Sequence, residues 1–276
     1  MNTTDSAVRT TLFKKMGADV LLNIAVKFWF LVAVLGQWIF VYYVSAFYGS
    51  TALQGEFARW NEVLPHGYVE GETMGNLAVA LHILLAVIII VGGPLQLIPQ
   101  TRTYAPSFHR WNGRVYVMLA FLISLDGLYM VWTRGTISGL VGDISVSINA
   151  LIIMLCAAMA WRYAVARNFT AHRRWTLRLF LVVNGVWFFR IGLMFWLFVN
   201  GGPVGFDPET FRGPFLTFLG FGQYLIPLAI LELYLAAQRW GSALGKTSMA
   251  IALFLITMVT GVGIFAATTG MWLPRL

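Results

Sequence analysis

The stretch GNLAVALHILLAVIIIVGGPLQLI, residues 75–98, decides the fold, because no Lys, Arg, Asp or Glu interrupts it and His82 is its one titratable side chain. A helix needs about 20 mostly apolar residues to cross a hydrocarbon core of roughly 30 Å, so this run predicts a transmembrane helix. Six further runs have the same character: 24–48, 113–133, 145–161, 175–199, 214–237 and 248–270. The whole composition agrees. Of 276 residues 59% are hydrophobic and 11% charged, and the mean hydropathy is +0.74. The sequence therefore predicts an all-α integral membrane bundle of about seven transmembrane helices, a single domain over 1–276, with 49–74 as its one long loop.

Lys and Arg in short loops stay on the cytoplasmic side. Thirteen basic residues fall on the side of Arg9, Lys14 and Lys15, and only Arg59, Arg134, Arg212 and Arg275 fall on the other. The expected orientation is N-terminus cytoplasmic, C-terminus external. The net charge of +8 is thus topogenic and gives no case for nucleic acid. The first apolar run is too long for a signal-peptide core and bulky residues follow it, so it reads as a retained helix. The single cysteine, Cys156, lies in a span and excludes a disulfide framework. In the loop 49–74, an amphipathic turn over 57–64 is expected to lie on the membrane surface with Trp60 at headgroup depth. Prolines cluster near span ends.

Polar groups inside hydrocarbon are costly and mark sites or helix contacts. Counting 1.5 Å per residue from the outer end of each span, His82 and Asp126 lie roughly 10 Å deep, Asn149 roughly 6 Å, and Arg190 and Gln223 roughly 13 Å. Five helices bring one polar group each to this outer layer. It reads either as a pocket, with Arg190 for an anion and His82 as ligand or proton carrier, or as an Asp126–Arg190 ion pair that holds helices in register.

An inner layer gathers Gln96, His109, Arg110, Arg114, His172, Arg173, Arg174, Arg178 and Glu232. His109 and His172 stand at helix starts, where free N–H groups and the helix dipole favour anions. A quinone headgroup, a haem propionate or a phosphate suits such a cradle; interfacial arginines that hold lipid are the plainer alternative. Glu232 is placed to pair with Arg114 or Arg178. A bis-histidine haem needs two imidazoles at one depth, and His109 with His172 meet that condition, whereas His82 has no intramembrane partner. Retinal chemistry lacks a lysine in the last span, and His-Glu-x-x-His zinc and P-loop spacings are absent.

The third span is approached through His109-Arg110-Trp111-Asn112-Gly113-Arg114 and the fifth through His172-Arg173-Arg174-Trp175-Thr176-Leu177-Arg178, an echo that reads as a parallel repeat with a site between its halves. With His82 and Gly92-Gly93-Pro94-Leu95-Gln96, these motifs resemble a family of uncharacterised bacterial predicted polytopic membrane proteins, over about residues 75–190. The resemblance implies a bacterial inner-membrane location and no particular activity. A fainter likeness is to transmembrane b-type cytochromes, matched at His82 and His109 only. That likeness implies electron transfer through b-type haem at His82 and His109; with His172, which shares the depth of His109, the candidate ligands are His109, His172 and His82.

Two functional readings follow. One is a redox component holding b-type haem or quinone, with a redox partner or complex subunits. The other is a cofactor-free transporter or lipid-binding protein in which His82, Asp126 and Arg190 line a path. A structural subunit of a membrane complex is the third. Membrane lipids are partners in all of them.

Overall fold

In the computed structural model the backbone is described for residues 3–276 and the side chains from residue 16 onward, so Arg9, Lys14 and Lys15 lie outside the described side chains. Among the described residues the regular structure is helical, with no strand and one isolated backbone bridge between Asp207 and Arg212. The helices are α1 (Thr3–Leu53), α2 (Thr73–Leu97), α3 (Pro99–Tyr104), α4 (Pro106–Arg134) and α5 (Leu140–Val165), then α6 (Phe169–Val183), α7 (Gly185–Asn200), α8 (Pro214–Trp240) and α9 (Ala243–Ala267). Their ends follow local chemistry. Proline opens α3, α4 and α8, where its missing N–H would have had no partner. Asn168 caps α6 by accepting from Ala171 N–H at 3.1 Å, and Ser242 caps α9 through Gly245 N–H at 3.2 Å. Gly201 ends α7 in the left-handed region, φ 67°. Pro94 lies inside α2, not at its end.

Six helices are long and apolar enough to cross a membrane, and α6 with α7 makes a seventh when the two count as one span bent by 53°. The chain is a multi-pass membrane bundle in contact with lipid. On α2, Leu81, Leu84, Ile88 and Val91 are exposed on one stripe and Leu85, Ile89 and Gly92 are buried on the other, the pattern of a helix between lipid and protein.

The expected straight span over 175–199 is broken. Asn184 turns its amide back to donate to Phe180 O at 2.7 Å, and Gly185 follows it; a side chain competing for the backbone ladder beside a glycine is an identifiable cause of a kink. The break divides the packing. α2, α4, α5 and α6 form a ring of neighbours in that order, whereas α7 packs on α9 and α9 on α1, with α8 bridging the two groups. Lipid tails give helices no hydrophobic reason to associate, so close approach at small residues does the work. A Cβ on Gly263 would lie 2.6 Å from Ile191 O of α7, and one on Gly93 would lie 3.1 Å from the Tyr116 hydroxyl and 3.2 Å from Phe180.

The loop after α1 differs from expectation in one respect. Phe57–Glu62 forms a short 3-10 helix, but Trp60 is buried against the chain itself: its Nε1 donates to Thr51 Oγ1 at 2.8 Å and its ring meets Tyr48 edge-on. The indole is thereby satisfied inside the protein. Arg134, at the end of α4, ties down the rest of the loop by donating to His66 O at 2.8 Å, Gly67 O at 3.1 Å, Asn76 Oδ1 at 2.8 Å and Glu72 Oε2 at 3.1 Å.

Candidate functional site

The residues of the outer layer fall into three separate groups. His82 on α2 and Asp126 on α4 face each other, Nδ1 to Oδ2 at 3.0 Å. Asp126 thus takes an imidazole as its partner, and the Asp126–Arg190 ion pair is not formed. Arg190 points from α7 toward α1, its guanidinium 5.2 Å from the Phe40 ring centre, with no carboxylate partner among the described residues. Asn149 and Gln223 meet at the helix break. Asn149 Nδ2 donates to Val182 O at 3.2 Å, and a Cβ on Gly185 would lie 2.8 Å from that nitrogen and 3.4 Å from Gln223 Oε1. The buried Oδ1 atoms of Asn149 and Asn184 have no partner.

Gln223 also reaches a cavity of about 270 Å³ that opens beside the loops 135–139 and 211–213. Its walls are apolar, among them Val141, Val186, Phe189 and Leu216; Arg212 is its charged residue. Gln223 is 7% exposed and donates Nε2 to Gly220 O at 2.7 Å, which leaves its carbonyl oxygen free to accept. No residue between 203 and 213 was singled out in the sequence, because a lone Arg in a polar loop carries no pattern.

The inner layer is the more ordered of the two. Gln96 Nε2 donates to His109 O at 3.0 Å, and Asn112 Nδ2 donates to Gly92 O at 3.0 Å, so α2 and the start of α4 are stitched by side-chain amides. Arg114 lies 5.1 Å over the Trp111 ring and Arg178 lies 4.8 Å over the Trp175 ring, the same three-residue spacing in both motifs. Arg178 alone of the two has the carboxylate: its Nε is 2.7 Å from Glu232 Oε1. Arg110 donates to Ser107 Oγ at 3.2 Å. Arg173 and Arg174 turn the other way, into a cavity against α8.

The two histidines of this layer stand on α4 and α6, which both pack on α5. Each is partly buried at the start of its helix. His172 commits Nδ1 to Ala160 O of α5 at 2.9 Å. A carbonyl can only accept, so Nδ1 carries the proton and Nε2 is left with its lone pair. His109 buries Nδ1 without a hydrogen-bond partner among the described residues. A buried nitrogen of that kind asks for a ligand, a water or an ion. Among the described residues no three His, Cys, Asp or Glu side chains converge as a metal cage.

With the histidines placed, the comparisons bear on this same ring. Residues 79–208 match the model of a family described as Predicted membrane protein (DUF2306). The matched region contains His82, Gln96, His109, Asp126, Asn149, His172, Arg178 and Arg190, and stops short of Gln223 and Glu232. No curated protein and no solved structure matches the chain.

Several polar residues were not legible as site candidates. Asn184 gives no sequence signal beyond being one Asn in an apolar run. Lys246 is buried near the start of α9 and pairs with Asp19 of α1, a contact between residues too far apart in the chain for spacing to reveal.

Proposed function

We propose that this chain is a redox component of a bacterial cytoplasmic membrane, N-terminus inside, that binds a b-type haem between His109 and His172. One observation carries the reading: two imidazoles stand at the starts of two helices that both pack on α5, and the proton of His172 is already committed to a backbone carbonyl, the contact that readies Nε2 as a metal ligand. His109 lacks such a contact: its Nδ1 is buried without a hydrogen-bond partner among the described residues. Haem, when bound, supplies one-electron transfer. The chain's own residues hold the imidazoles, and the Arg114–Trp111 and Arg178–Trp175 stacks keep positive charge beside the site.

Protein purified from haem-replete cells is expected to show a Soret band. His109→Ala and His172→Ala each abolish it, whereas His82→Ala, whose imidazole is held by Asp126, leaves it in place. Absence of haem from the purified protein, by spectrum and by pyridine haemochrome, overturns the assignment. Quinone in the solvent extract of haem-free protein would move the redox reading to that cofactor.

A second reading has one observation in its favour. The cavity between Arg212 and Gln223 joins an apolar wall to a cation and a buried acceptor, the makings of a pocket for an amphipathic molecule handled without a cofactor. Under that reading Arg212→Gln and Gln223→Leu weaken uptake of such a molecule into proteoliposomes; unchanged uptake removes it.

A further inference from the structure

The arginines of the inner layer do not act as one cluster. Arg173 and Arg174 of α6 share a cavity of about 260 Å³ with Arg239 of α8, and no acidic residue lines it. The nearest carboxylate on α8, Glu232, is committed to Arg178. Three arginines lining one small space keep their charge at any physiological pH, and their summed positive potential favours an anion there.

Two further donors serve the same space. Phe169 and Thr170 line the cavity as the first residues of α6. The Asn168 side chain takes Ala171 N–H and its carbonyl takes His172 N–H, so the Phe169 and Thr170 N–H groups are left without intrahelical acceptors at the positive end of the dipole. The Gln238 amide is a further polar element of the wall, donating to Tyr234 Oη at 2.6 Å. The remaining lining is apolar: Phe169, Leu177 and Leu235. Charged donors thus sit beside apolar side chains, at the ends of two membrane helices.

We infer that this cavity binds the phosphate of an anionic phospholipid, with the phosphodiester among Arg173, Arg174 and Arg239 and the acyl chains running along Leu177 and Leu235. Inorganic phosphate shares the anion chemistry and lacks the tail; the apolar wall assigns the lipid. The site is independent of the haem reading, since neither histidine lines it.

The test uses the full chain in vesicles of phosphatidylcholine with and without phosphatidylglycerol, with bound lipid read by native mass spectrometry after detergent extraction. Wild-type protein is expected to retain phosphatidylglycerol. Arg173→Gln with Arg239→Gln should weaken retention roughly 30-fold, at about one factor of five per arginine near a membrane surface. The control, Arg102→Gln with Arg162→Gln, removes the same charge from exposed positions outside the cavity and should change retention little. Equal losses in both pairs, or none in either, overturn the proposal. Displacement of the lipid by inorganic phosphate overturns the lipid assignment. If the cavity pair does not fold, Arg239→Gln alone, at the exposed end of α8, gives the same reading on a smaller scale.

Discussion

His82 Nδ1 and Asp126 Oδ2 meet across α2 and α4 at 3.0 Å. A carboxylate inside a bundle is costly unless it is paired, and here an imidazole pairs it. The contact fixes the proton on Nδ1 and leaves Nε2 free. His82→Leu leaves Asp126 without its donor, so it should destabilise the protein more than the double variant His82→Leu/Asp126→Leu does. The expected coupling is about 1–3 kcal/mol, read from thermal unfolding in detergent. Strictly additive effects would show that the two side chains do not depend on each other.

Arg178 both pairs with Glu232 and stacks on Trp175. The Glu232 side chain is half exposed, which weakens the ion pair, so Glu232→Gln should cost about 1 kcal/mol. Arg178→Gln should cost more, because it removes the stack as well. The reverse order in a chemical-denaturation series would mean that the carboxylate, not the guanidinium, is the anchor.

Arg134 is the clamp of the loop between α1 and α2, and its side chain is 7% exposed. Lysine cannot reproduce a fork that serves two carbonyls, an amide oxygen and a carboxylate. Arg134→Lys should lower stability by about 2 kcal/mol and open residues 63–72 to limited proteolysis. An unchanged cleavage pattern would assign the loop's order to the Trp60–Thr51 contact.

At Gly263, α9 and α7 come within backbone contact, since a Cβ there would lie 2.6 Å from Ile191 O. Gly263→Ala should therefore push these helices apart and destabilise the protein by about 1–3 kcal/mol, more than the same change at Gly17, which has nothing within 4 Å. Equal effects at both positions would reduce the glycine to a matter of helix propensity.

Asp207 accepts from Glu209 N–H at 2.9 Å and from the Thr210 hydroxyl at 3.0 Å, and these bonds hold its carboxyl below the ordinary carboxylate range. A depressed value adds stability that is complete above the unfolded pKa, about 3.9, and is lost as pH falls through the folded one. Amide protection factors at Glu209 and Thr210 should hold steady from neutral pH to about pH 5 and fall only in stronger acid. Loss of protection on the alkaline side would contradict this.

The fold was legible because lipid permits few solutions: an apolar run of sufficient length must be a helix, and the runs around His82 and Cys156 could be little else. Helix interruptions were not legible, since Asn184 breaks its span through one side-chain bond to Phe180 that hydropathy averages away. Depth along each span placed His82 and Asp126 on a common level, but depth says nothing of azimuth. Arg190 shares that level and faces Phe40 instead. The Glu232 pairing left two arginines open, and only the packing of α6 on α8 distinguishes Arg178 from Arg114.

The bend at Asn184 has a mechanical consequence. α6 is held by α5 and carries His172, while α7 is held by α9 and carries Arg190, and a single residue joins them. The pair thus behaves as two struts braced mainly by different neighbours, so a tilt imposed on one strut reaches the other through this joint and through α8, which touches both, and the joint is where Asn149 and Gln223 converge.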